Sequence, residues 1–151
     1  MSSAKLAKLE SLSEEQAEHS RDLVERQRLE LSQLDNHHSD LKRINLEYQN
    51  SLIGLDGVSP QQLAHRRSFV SQLTRKLDVL HHERIQKKEK LQVSINEHRQ
   101  QSAQTAALGS MVEQATAKQA VKDARAQQTQ ENETAQSLRL RAMSVREDDN
   151  V

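Results

Sequence analysis

The position of its helix breakers limits what this chain can fold into more than any other feature. It has three glycines and one proline in 151 residues, and Gly54, Gly57 and Pro60 share one short patch. The long polar stretches on either side are interrupted only by Gly109, so the pattern is two long helices joined by a turn. A glycine at 57, after Leu55 and Asp56, suits the left-handed backbone that closes a helix C-terminus. The next helix opens with stacked start signals. Ser59 is a good N-cap, Pro60 fits the first helical position, and Gln62 sits where a capping-box side chain returns to the Ser59 backbone. Val58 and Leu63 have the spacing of a hydrophobic staple. This punctuation predicts helix 1 over about 3–55, a turn over 56–59, helix 2 over about 60–145 and a frayed acidic tail over 146–151, all in a single domain.

Composition excludes an ordinary globule. Tyr48 and Phe69 are the only large rings, and hydrophobic residues make up 34% of the chain, too few large side chains for a core of normal depth. What remains is a narrow seam, and residues with good helix propensity dominate around it. With no cysteine, disulfides and thiolate zinc sites are ruled out. The N-terminus has no apolar signal core, and no run approaches the roughly 20 apolar residues of a membrane span, so a cytoplasmic chain is expected. Net charge is zero, but residues 1–53 lean acidic and residues 61–100 lean basic. Opposite-sign arms favour pairing with each other, and nucleic acid is not an expected partner.

Heptads give the arms a register. In the first, Val24, Gln27, Leu31, Leu34, His38, Leu41, Asn45, Tyr48, Leu52 and Leu55 alternate steps of three and four. In the second, Leu63, Arg66, Val70, Leu73, Leu77, Leu80, Arg84, Lys87 and Leu91 do the same. That is the period of a left-handed coiled coil. Folding at the turn sets Leu55 opposite Leu63, Tyr48 opposite Val70, Asn45 opposite Leu73, Leu41 opposite Leu77 and His38 opposite Leu80. The expected fold is therefore all-α: an antiparallel two-helix coiled-coil hairpin with a longer, overhanging C-terminal helix. The overhang starts after about residue 115 and would extend roughly 50 Å as helix. It is rich in Ala and Gln, and Gly109 with Ser110 and Glu113 offers either a kink or a tolerated glycine in a continuous helix.

Catalytic chemistry is hard to find in the sequence. No phosphate-cradling Gly loop or nucleophile elbow appears, and the carboxylates are spread along helix surfaces. A non-enzyme without cofactor or metal is expected. The one constellation worth weighing is His37 and His38 facing His81 and His82. A surface zinc or nickel site there is geometrically allowed, but no carboxylate is placed to orient the imidazoles, and a pH-sensitive face is the alternative.

Tyr48, Gln49 and Asn50 close the first arm, a Gly-containing turn follows, and Phe69, Val70, Gln72, Leu73 and Leu77 open the second before a basic, Gln-rich helix. In this block the chain resembles the FliJ family, coiled-coil stalk proteins of the flagellar type III export apparatus. Asn132, Ala135, Gln136 and Arg139 are similar to that family's C-terminal helix. The resemblance implies a non-catalytic stalk that inserts its terminal end into the hexameric export ATPase, promotes ring assembly and couples it to the export gate, with export chaperones as further partners. It implies a cytoplasmic protein peripherally associated with the inner-membrane export apparatus. It also implies that Leu41, Tyr48, Phe69 and Leu73 contact the cytoplasmic domain of the gate membrane protein. His37, Ile44, Lys76 and Leu80 align with further gate-contact positions but are not the usual residue types. An injectisome counterpart of the stalk, or a general coiled-coil scaffold, is the other reading of the same architecture.

Overall fold

The structure is a computed structural model that describes residues 2–52 and 57–150. Two helices account for nearly all of them: α1 (Ser3–Ser51) and α2 (Pro60–Asp149). There is no strand among the described residues. Ser2 starts α1 by accepting the Lys5 N–H on its Oγ at 3.3 Å, while its carbonyl takes the Leu6 N–H at 3.1 Å. The side-chain bond satisfies one donor that the first turn leaves without a helical partner, and the carbonyl bond is the first of the helix.

At its other end α1 stops at Ser51, short of the expected 55. The last turn tightens there. The Leu52 N–H bonds to the Gln49 carbonyl at 3.2 Å, a 3₁₀-type bond, and the Ser51 hydroxyl donates to the Tyr48 carbonyl at 2.7 Å. Gly54, Leu55 and Asp56, with the expected Leu55–Leu63 layer, lie outside the described residues. Gly57 has the left-handed backbone, with φ 91°, but six residues beyond the end of α1. It leads into α2 and does not cap the preceding helix.

The start of α2 follows the sequence closely. Ser59 Oγ accepts the Gln62 N–H at 3.2 Å and its carbonyl accepts the Leu63 N–H at 3.1 Å, so Ser59 is the N-cap and Pro60 the first helical residue. Val58 and Leu63 are both half-buried. The helix then runs unbroken through Gly109, with no restart at Ser110. It also continues through residues 146–149, where a frayed tail was expected. Neither Gly nor Pro follows Gly109 to break the helix, and it continues although Glu147, Asp148 and Asp149 outnumber Arg146 in the last turn, where the dipole favours cations.

The contacts group into two compact units where one domain was expected: Glu14–Ala103, and Met1–Ser13 with Gln104–Val151. Helical residues touch only what lies beside them over a few turns, so distant stretches of the same helix fall into separate groups. Within Glu14–Ala103, Val24, Asn45, Leu73, Leu80 and Ser94 are buried. Leu31, Leu34, Leu41, Leu52, Leu63, Val70, Leu77 and Leu91 are half-buried. Side-chain contacts between the helices run in opposite directions along the chain. Ser20 meets His98, Glu30 meets Lys87, Asp35 meets Arg84, Asn45 meets Thr74 and Tyr48 meets Phe69.

In the other unit Leu6 and Ser13 are buried, and Ser13 Oγ lies 2.6 Å from Thr105 Oγ1. Glu10 lies beside Gly109. From Thr116 to Asn150 every residue is exposed.

The two structurally described glycines should respond oppositely to alanine. At Gly57 a Cβ meets open space, so only the left-handed backbone opposes it, and Gly57→Ala should cost about 1 kcal/mol or more. At Gly109 the new Cβ would stand 3.1 Å from Glu10 Oε1, the mobile end of a flexible side chain. The helix-propensity gain should then prevail, and Gly109→Ala should stabilise by up to about 1 kcal/mol. Urea denaturation of both variants checks the two signs.

Candidate partner-contact surface around Tyr48 and Phe69

Tyr48 lies in the last turn of α1 and Phe69 in the third turn of α2. Their ring centroids are 4.7 Å apart with the planes tilted by 59°, a favourable aromatic arrangement. Both stay accessible, Tyr48 at 40% and Phe69 at 37% exposure. Beside them Ser51, His65 and Arg66 complete an open groove of about 500 Å³. An apolar pair flanked by a cation and hydroxyls suits recognition of another protein.

Tyr48 was expected in the seam, opposite Val70, with Phe69 beside it. Instead the tyrosine ring stands on Phe69 at the surface. A large ring with a hydroxyl to solvate is better accommodated there than in a seam built of leucines. Of the other expected gate-contact positions, Leu41 is half-buried and Leu73 is only 8% exposed. Leu73 is therefore covered and presents little surface to a partner. His37 and Lys76 are exposed, Ile44 is half-buried and Leu80 is 7% exposed.

The four histidines do not converge on a metal. Among the described residues no three His, Cys, Asp or Glu side chains are grouped to hold one. His38 instead joins a cross-helix cluster: Arg84 donates from Nε to Asp35 and from a guanidinium nitrogen to His38 Nδ1 at 3.2 Å. That contact leaves Nδ1 as an acceptor, the neutral form of the ring. The His81 ring lies 6.3 Å from that of His38, while His82 Nδ1 donates to the Asp78 carbonyl at 2.8 Å. Desolvation lowers the pKa of His38 below its ordinary value, and the charges of Arg84, His81 and Lys42 lower it further against the opposing pull of Asp35.

Several polar contacts between the helices were not visible in the hydrophobic pattern. Ser20 donates its hydroxyl to the Ala17 carbonyl at 2.9 Å, so His98 Nδ1, 2.7 Å away, is the donor to Ser20 Oγ. Asn45 holds a seam position and reaches Thr74 Oγ1 at 3.5 Å, but its own Oδ1 is buried without a partner, as is Gln27 Oε1. Ser13, Ser94 and Thr105 were missed because serine and threonine carry no apolar signal. Leu6 was missed because its neighbours along the stripe are polar or small.

No protein-family model matches the chain, and neither the curated proteins nor the solved structures contain a match. Among the described residues no helix is long and apolar enough to cross a membrane.

The His38 cluster sets a pH dependence. Because the folded protein holds the ring neutral, the unfolded chain binds more protons between the lowered folded pKa and about 6.5, and stability falls as pH drops through that window. Thermal melting at pH 7.5 and 5.5 should show the loss, and His38→Gln, which cannot titrate, should make the two midpoints more alike. Equal pH sensitivity in both proteins would remove His38 as the cause.

Proposed function

We propose that this chain is a non-catalytic stalk of the flagellar type III export apparatus, an antiparallel coiled-coil hairpin that binds the export ATPase ring, promotes its assembly and couples it to the export gate. The exposed Tyr48–Phe69 stack carries this reading. It is the chain's only pair of large rings, it lies where the two helices approach their connection, and it remains accessible when burial would benefit so thin a seam. The opposite running order of the cross-helix contacts and the alternating three and four steps of the covered residues support a coiled coil. The exposed helix over 116–150 offers a second surface, which the reading assigns to the ATPase. Tyr48 and Phe69 would make most of the gate contact, since Leu41 is half-buried and Leu73 buried. Export chaperones would be further partners, and association with the membrane would be peripheral, through the apparatus. A helical pair of this kind transmits orientation and force without performing chemistry.

Co-elution with the flagellar export ATPase, as a hexamer assembled at lower protein concentration than without this chain, is the expected result. Absence of any association would overturn the reading. Tyr48→Ala combined with Phe69→Ala should weaken capture of the gate's cytoplasmic domain at least tenfold and impair motility on soft agar. Circular dichroism verifies that the double variant keeps its helices, since it loses the area the two rings bury as well as their stacking. Unchanged gate capture and motility would exclude the ring pair as the contact.

A further inference from the structure

The exposed stretch of α2 carries a second apolar stripe on a face different from the one covered upstream. Upstream, Leu108, Val112 and Ala115 are half-buried at steps of four and three. Continuing those steps leads to Gln119, Lys122, Ala126, Thr129, Glu133 and Gln136, mostly polar, before the phase regains Leu140 and Met143. A new series begins at Ala117, two residues out of phase, which is about 200° around the helix. Its large members are Val121, Leu138 and Val145, exposed at 50%, 60% and 59%. Ala117, Ala124, Ala135 and Ala142 fill the intervening positions, and only Gln128 and Glu131 interrupt the series. The steps alternate four and three throughout, the period that seats one helix along another.

Charge identifies what fits this stripe. Lys118, Arg125, Arg139 and Arg146 each directly follow a stripe residue and therefore line one edge, and Arg141 stands on the opposite edge. Asp123 and Glu133 fall on the outer face, away from the stripe. A second copy is a poor occupant. Parallel self-pairing would set Glu131 against Glu131 within the seam, and antiparallel self-pairing would set the basic edge against itself. A helix with aliphatic seam residues and carboxylates on its edges meets neither penalty and pairs with every cation.

We propose that the Ala117–Val145 stripe docks an amphipathic helix of another protein whose apolar face is bordered by Asp and Glu. The stripe lies in the stretch that the export reading assigns to the ATPase, and the two are tested apart: co-elution with the ATPase tests that reading, and peptide binding tests this one. A labelled 30-residue heptad peptide with an Ile/Leu stripe and Glu on both edges is the probe, and the same peptide with Lys on both edges is the control. Titrated with the full chain and followed by fluorescence anisotropy, the Glu peptide should bind at least tenfold more tightly than the Lys peptide, with the gap narrowing between 50 and 500 mM salt. Combining Lys118→Glu, Arg125→Glu, Arg139→Glu and Arg146→Glu should reverse the preference, and Leu138→Asp should abolish binding of both peptides. All five side chains are exposed, and circular dichroism verifies that the variants keep their helix. Equal binding of the two peptides, or no binding of either, would overturn the proposal. So would sedimentation showing that the wild-type chain pairs with itself and the Leu138→Asp variant does not, since a second copy would then be the occupant.

Discussion

The pairing of α1 with α2 rests on a stripe too narrow to bury anything completely. Among the described residues no side chain reaches full burial, and the buried apolar residues are Leu6, Val24, Leu73 and Leu80. Each seam leucine therefore recovers only part of the roughly 1.5–3 kcal/mol that full burial provides. The rest of the structure depends on this constraint. Polar side chains can occupy stripe positions because water remains close, and cross-helix polar contacts make up a large share of what specifies the pairing.

Those polar contacts discriminate between registers more sharply than leucines do. Sliding leucine past leucine by a heptad exchanges one apolar contact for a similar one. Displacing Arg84 from Asp35 and His38, or His98 from Ser20, strands a donor or acceptor at a half-covered position. Asn45, buried with an unpartnered Oδ1, follows the same logic: a polar seam residue costs stability and penalises alternative pairings. One part of this system is also tied to pH, because desolvation and then the Arg84 guanidinium lower the pKa of His38.

The same thinness bears on how the surfaces are used. Without a deep cleft, recognition falls to side chains that the seam cannot absorb. Tyr48 and Phe69 stack on each other and stay open to solvent, while Leu73 is buried. Beyond residue 115 the covered face of α2 is mostly polar as far as Gln136, with Leu140 and Met143 further on, and a second apolar series with a basic border runs along another face. The two faces stand about 200° apart around the helix.

Much of the helical layout was legible in the sequence because it is a local matter. The breaker patch, the Ser59–Pro60 start and the alternating steps through Val24–Leu52 and Leu63–Leu91 follow from backbone propensity and side-chain spacing, and residues within a few turns determine both. Local signals were weaker at helix ends, where α1 ends at Ser51 and α2 continues to Asp149. The candidate site was legible as residue types but not as an arrangement: Tyr48 and Phe69 stood out by rarity, whereas nothing in the chain order showed that one ring would leave the seam for the other or that Leu73 would be enclosed. Only the tertiary structure decided these points, along with the Ser20–His98 and Ser13–Thr105 contacts. They join residues far apart in sequence, through small polar groups whose partners become apparent only when the second helix is in place.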